Sequence, residues 1–144
     1  MTDVVVSTKK VLADSFKFYL KVHGFHWNVE GMFFESLHKL FGEIYNEVWT
    51  SLDVIAEQVR ALDSYAPSSF DRFNQLSTIE DTIKIPNAKT MISILIEDNE
   101  KVLASIKEAY IAAEEAGAYG LSDMLAGRQD AHKKHAWMLR SLLK

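Results

Sequence analysis

From Phe34 onward the apolar residues Leu37, Phe41, Ile44, Val48, Leu52, Ile55, Val59 and Leu62 recur in steps of three or four. That period puts them on one side of a 3.6-residue helix, whereas a strand, whose side chains alternate by twos, would scatter them over both faces. A long amphipathic helix with a continuous buried stripe therefore constrains the fold more than any other feature. A stripe through Leu12, Phe16, Leu20 and Trp27 predicts a helix before it, ending near Gly31, where a residue without Cβ can turn the chain. A third long helix is expected from Asn87, a suitable N-cap after Pro86, to Glu115, with Gly117 as its stop. A fourth covers Tyr119 to Leu143.

Residues 63–86 hold both prolines and several Ser and Asp residues, but also Phe70, Phe73 and Leu76 at helical spacing. They read as a long crossover carrying one short helix. Two short connections and one long one describe an all-α, ferritin-like four-helix bundle with a short helix in the crossover between its second and third long helices. A single domain over residues 1–144 is expected, since a core of that size buries about two-thirds of the unfolded surface. The opening MTDVVVSTKK has no apolar run long enough for a signal peptide, and no stretch reaches the roughly 18 to 20 apolar residues that span a bilayer, so a cytoplasmic protein is expected.

The absence of cysteine excludes disulfides, iron-sulfur clusters and thiolate zinc sites, so any metal must be held by His, Asp or Glu. Three of the five histidines lie in HGFHWNVEGMFFESLHKLF, at His23, His26 and His38. His26, near the end of the first long helix, and His38, near the start of the second, flank the same turn and can converge. Asp53 and Glu57 are four apart on the second long helix, so their carboxylates share a face about one turn apart and can share a cation. The two pairs cannot meet within one chain. Asp53 lies fifteen residues beyond His38, roughly 22 Å along a rigid helix, while a metal needs every ligand at about 2 to 2.3 Å. Either the pairs are unrelated or a second subunit completes the site. A two-fold axis satisfies the second case, because it sets the histidine end of each subunit against the carboxylate end of its mate and makes two equivalent sites. Such a nitrogen and carboxylate set suits iron(II), zinc or manganese.

The run HWNVEGMFFESLHKLFGEIYNEVWTSLDVIAEQVRALDSYAP, His26 to Pro67, resembles the signature of the Dps family, ferritin-like mini-ferritins named as DNA-binding proteins from starved cells. The stretch HKKHAWMLRSLL, His132 to Leu143, is similar to the family's last helix. The resemblance implies a homododecameric shell built from two-fold dimers, in which Fe(II) is oxidised at intersubunit sites, preferably by hydrogen peroxide, and stored as ferric mineral. It implies that His26 and His38 are ligands from one subunit and Asp53 and Glu57 ligands from its partner, that these four residues make the ferroxidase site, and that zinc can compete there. Trp27 and Trp137 match aromatic positions of the family. They could intercept stray oxidants, although packing is the preferred reading of each. Two departures stand out: the acidic residues that many members carry one and four positions after the second histidine, to seed mineral, are here Lys39 and Gly42. Nucleation would then fall to Glu35, Glu43 or Glu47, or be less efficient.

Members that condense DNA commonly use a lysine-rich tail. The net charge of -4, and Lys9-Lys10 as the only basic pair near the N-terminus, lead us to expect no direct DNA binding. His132 and His135 read as packed, hydrogen-bonded core residues. His23 stays open between an additional ligand or orienting group for His26 and a further residue of the apolar stripe. Glu35 and His38 form an E-x-x-H pattern, but a di-iron site within one chain needs a second such motif. Asp123 and Asp130 could line an acidic pore at a three-fold axis, as the resemblance suggests, or be an ordinary solvated face. Two other functions were open to a chain of this pattern: a nucleoid-associated DNA-binding protein without important catalysis, and a purely structural helical oligomer.

Overall fold

A computed structural model describes residues 3–144 and contains five helices: α1 (Val4–Asn28), α2 (Phe34–Ala61), α3 (Phe70–Leu76), α4 (Ala88–Glu115) and α5 (Tyr119–Ser141). No strand occurs among the described residues. The local chemistry accounts for the ends. Asp3 caps α1, its carboxylate accepting from the Val5 amide at 2.7 Å. Ser69 caps α3 by accepting from the Arg72 amide at 3.1 Å, and Asn87 caps α4 by accepting from the Thr90 amide at 2.9 Å. At the end of α4, Gly117 takes φ +71°, so that its own amide bonds the Glu114 carbonyl and the Ala118 amide reaches back to the Ala113 carbonyl. This paired closure needs a left-handed residue, which glycine adopts without strain. Asp63 takes the same role after α2 with φ 61°, an uncommon setting that Asp tolerates better than most residues.

α1 lies between α2 and α4, and α4 packs along α5. The stripe on α2 is buried from Leu37 to Val59, while Phe34 remains exposed at the first turn. Phe18, Phe41, Ile44, Ile55, Leu95, Ile106, Leu125 and Leu139 are fully buried at the centre. Cutting Phe41 back to Ala would cost about 3–5 kcal/mol, from lost transfer energy plus the cavity left behind.

The stripe read on the first helix holds only in part: Leu12 lies in the core at 4% exposure and Phe16 packs against it, but the later residues of the stripe turn outward. α1 turns Val11, Phe18, Val22 and Phe25 to the core, whereas Leu20 and Trp27 are 46% and 59% exposed. Periodicity finds an apolar row but cannot choose between two rows on one helix. The row is put to use: Phe16 stacks on Phe73 of α3 at 4.6 Å, and Phe16 and the edge of buried Leu12 line a groove of about 550 Å³ with Trp49, Asp53, Phe70 and Phe73. α1 also ends at Asn28, earlier than Gly31, which instead makes the turn with φ +116°.

The crossover is tied down by buried charge. The Asp14 carboxylate, fully buried on α1, accepts from the Ser77 hydroxyl at 2.6 Å, the Thr78 amide at 2.7 Å, the Thr78 hydroxyl at 3.0 Å and the Ser105 hydroxyl of α4. Lys21 donates to the Glu80 carbonyl at 2.6 Å and pairs with buried Asp98 at 2.6 Å. A buried charge is tolerated only when its partners are all present. These two clusters therefore fix where the crossover runs, and with it where α3 sits beside Asp53.

Candidate metal centre

His26 occupies the last turn of α1, where backbone carbonyls lack intrahelical partners. Its own carbonyl accepts from His38 Nδ1 at 2.7 Å, and His26 Nδ1 in turn donates to the His38 carbonyl at 2.6 Å. A carbonyl oxygen can only accept, so both Nδ1 atoms carry a proton, and the lone pair of each neutral ring is then on Nε2. The two rings stack with centroids 3.8 Å apart. Gly42 makes room for this, because a Cβ there would stand 3.2 Å from His26 Cε1 and Nδ1. The pair is thus fixed in position through both Nδ1 atoms, which leaves the Nε2 atoms outside the lock.

Asp53 and Glu57 lie one turn apart on the exposed side of α2, and neither forms a hydrogen bond or ion pair within the described residues. No group of three or more His, Asp or Glu among those residues is close enough to hold a metal. One chain therefore brings His26 to His38 and Asp53 to Glu57, but does not bring the two pairs together.

His23 lies 6.0 Å from His26, ring to ring, among a set of aromatic neighbours. Its Nδ1 shares a hydrogen bond with the Tyr19 hydroxyl at 2.8 Å, and its ring stacks on Tyr45 at 3.7 Å and leans on Trp27 at 4.1 Å. Burial lowers its pKa, and nearby His26 acts in the same direction. Trp27 and Trp137 are each 59% exposed, so neither packs in the core of the chain and the preferred packing reading does not hold within it. Both sit on outward faces of their helices, which periodicity could not distinguish from inward ones.

The remaining candidates divide clearly. Glu47 cannot serve as a free mineral-seeding carboxylate, because Arg128 grips it with its two terminal guanidinium nitrogens and His135 Nε2 donates to it at 2.8 Å. Burial alone would raise its pKa, but the hydrogen bonds and charges of His135 and Arg128 prevail and hold it at about 2. Glu35 and Glu43 are exposed, as are Lys39, Asp123 and Asp130. His132 and His135 are buried, as expected. His132 donates from Nδ1 to Asn99 at 2.7 Å and accepts at Nε2 from Arg128 at 2.9 Å; burial, then the Arg128 charge, push its pKa well below the ordinary value and keep it neutral.

Tyr45 meets His26 edge-on, Tyr19 meets His23, and Trp49 extends the row through Tyr19; none of the three stands out as a site residue in the sequence. Two rows at four-residue spacing, Tyr19, His23, Trp27 on α1 and Phe41, Tyr45, Trp49, Asp53 on α2, were the available signal.

A sequence profile of the ferritin-like domain matches residues 8–144. DNA protection during starvation protein 2 of Bacillus anthracis is 32% identical over 140 residues, spanning 97% of this chain and 96% of that one. Among solved structures, Dps from Staphylococcus aureus superposes with a TM-score of 0.94 at 30% identity, covering 100% of this chain and 99% of its own. A Dps protein from Vibrio cholerae O1, described as a member of a broad superfamily of ferritin-like diiron-carboxylate proteins, reaches 0.93 at 26% identity, over 98% of this chain and 89% of its own. With the helix order, the crossover helix and near whole-length likeness all in agreement, the chain belongs to the Dps family of ferritin-like mini-ferritins.

Proposed function

We propose that this protein is a ferroxidase and iron store, which oxidises Fe(II) with hydrogen peroxide at sites shared between subunits and holds the ferric product inside a dodecameric shell. The observation that carries the reading is the reciprocal His26 and His38 lock, which stacks the two rings 3.8 Å apart and occupies both Nδ1 atoms, leaving each Nε2 for a metal where no third ligand of the chain stands by. Asp53 and Glu57 of the partner subunit complete the set across a two-fold axis. The groove beside Asp53, walled by the apolar outer face of α1 and by α3, supports burial of that face against a second copy. Residues 1–144 act as one ferritin-like unit, and no helix among the described residues is long and apolar enough to cross a membrane, which fits work in the cytoplasm.

Iron is the substrate, and the nitrogen and carboxylate donors match it. The histidines hold Fe(II) without adding charge, while the two carboxylates offset its charge and that of the ferric product. Peroxide accepts two electrons and two protons and leaves as two waters, while two Fe(II) become Fe(III). Zn(II) suits the same donors and should compete. Protection of DNA then follows from consuming Fe(II) and peroxide together rather than from binding DNA.

The test is an anaerobic Fe(II) titration of the assembled protein, followed by peroxide and read as near-ultraviolet ferric absorbance. Saturable binding, a fast rise on adding peroxide, and suppression of that rise by prior Zn(II) are expected. A rate equal to that of a protein-free control, or full activity in Asp53→Ala/Glu57→Ala, sinks the reading.

A further inference from the structure

Arg60 stands beside the proposed carboxylate ligands without pairing with either. It follows Glu57 by three residues on α2, a spacing at which two side chains are neighbours on the helix surface and an acid and a base ordinarily pair. It also lies on the same side of α2 as Asp53, two turns further along. Yet neither Asp53 nor Glu57 forms an ion pair among the described residues. Arg60 is engaged elsewhere: its Nη1 donates to the Ser64 carbonyl at 2.9 Å, and its guanidinium lies 4.9 Å from the centre of the Tyr65 ring.

The turn after α2 supplies both partners. Asp63, at φ 61°, bends the chain back, so that its amide bonds the Arg60 carbonyl at 2.9 Å and the Ser64 amide bonds the Val59 carbonyl at 3.3 Å. The Ser64 carbonyl and the Tyr65 ring are thereby presented to the last turn of α2, where the helix dipole also favours a cation. A planar guanidinium can donate to a carbonyl and lie over a ring at once, which the compact ammonium of lysine does poorly. Tyr65 is 82% exposed, so burial in the core of the chain does not account for where its ring sits.

We infer that Ser64 and Tyr65 hold Arg60 aside so that Glu57 stays free for the metal, which makes Tyr65 a positioning residue for the carboxylate half-site. The inference rests on the ferroxidase reading, in which Asp53 and Glu57 are one subunit's share of each site. A guanidinium released from this contact has Glu57 as its nearest acid on the helix. It would occupy the carboxylate that the metal needs and set a positive charge beside a dication. Both effects weaken binding, and neither requires the fold to change.

The experiment titrates Co(II), a redox-silent probe, into the full-length assembled protein and into Tyr65→Phe, Tyr65→Ala, Arg60→Gln, Arg60→Lys and Tyr65→Ala/Arg60→Gln, with assembly checked by light scattering. Tyr65→Phe, which keeps the ring, should bind as wild type does. Tyr65→Ala should bind about threefold more weakly, a defect that shrinks at high salt because exposed charges are screened. Arg60→Gln should bind at least as tightly as wild type, and the double variant should match it, because loss of the ring matters only while the cation is present. Where Tyr65→Ala does not assemble, Arg60→Lys decides the matter: it keeps the charge without the stacked fork, and should also bind more weakly than wild type. Wild-type affinity in the deciding variant, or a double variant as weak as Tyr65→Ala, would overturn the role of Tyr65 and leave the ferroxidase reading standing. If wild type takes up no Co(II), or Asp53→Ala/Glu57→Ala takes it up unchanged, both are overturned.

Discussion

His26 and His38 each donate Nδ1–H to the other's backbone carbonyl, at 2.6 and 2.7 Å, across the turn between α1 and α2. The two rings are therefore each other's orienting groups, and in the proposed site loss of either would remove one ligand and loosen the second.

His38→Ala and Asp53→Ala should each abolish fast Fe(II) oxidation while leaving assembly intact. Mixed subunits should recover activity, because a dimer with one damaged half from each chain holds one site missing both ligands and one site missing neither. Mass spectrometry of exchanged subunits, run beside stopped-flow oxidation, checks this. Proven mixed dimers without recovery would show that the ligands do not divide between chains.

Gly42→Ala separates stability from metal affinity. Alanine is a better helix former than glycine by about 1 kcal/mol, so thermal stability should hold or rise. The added Cβ meets the His26 ring at 3.2 Å and must displace it, so Co(II) affinity should fall. An expected loss of about tenfold corresponds to about 1.4 kcal/mol of misplaced ligand. Unchanged Co(II) affinity would show that the ring moves aside at no cost.

Acid should weaken the fold in two windows. His132 has a folded pKa well below its unfolded 6.5, so the unfolded chain gains a proton first and stability falls as pH drops through about 6.5. Glu47 has a folded pKa of about 2 against an ordinary 4.5, so its contribution is complete above about 4.5 and is lost as pH falls toward 2. Urea unfolding across pH should show both slopes, and Glu47→Gln should flatten only the lower one. Since Glu47 is partly open to water, its share is modest.

Plasmid exposed to Fe(II) and peroxide should survive in the presence of this protein without a mobility shift at about physiological salt, because a net charge of -4 gives no general attraction to DNA. Asp53→Ala/Glu57→Ala, still assembled, should fail to protect. Protection that persisted in that variant, or that tracked a retarded band, would favour physical shielding.

The helices, their caps at Asn87 and Gly117, and the short helix around Phe70 and Phe73 were legible in the sequence, because each depends on residues within a turn or two of one another. The separation of His38 from Asp53 was legible for the same reason, since a rigid helix converts residue count into distance. The sequence did not reveal which apolar row of α1 faces inward, that Arg128 and His135 occupy Glu47, or that His26 and His38 lock each other through their carbonyls. Those relationships join residues far apart in the chain. Local periodicity determines what each helix offers, but only packing in three dimensions decides which helix face meets which, and so which donor finds which acceptor.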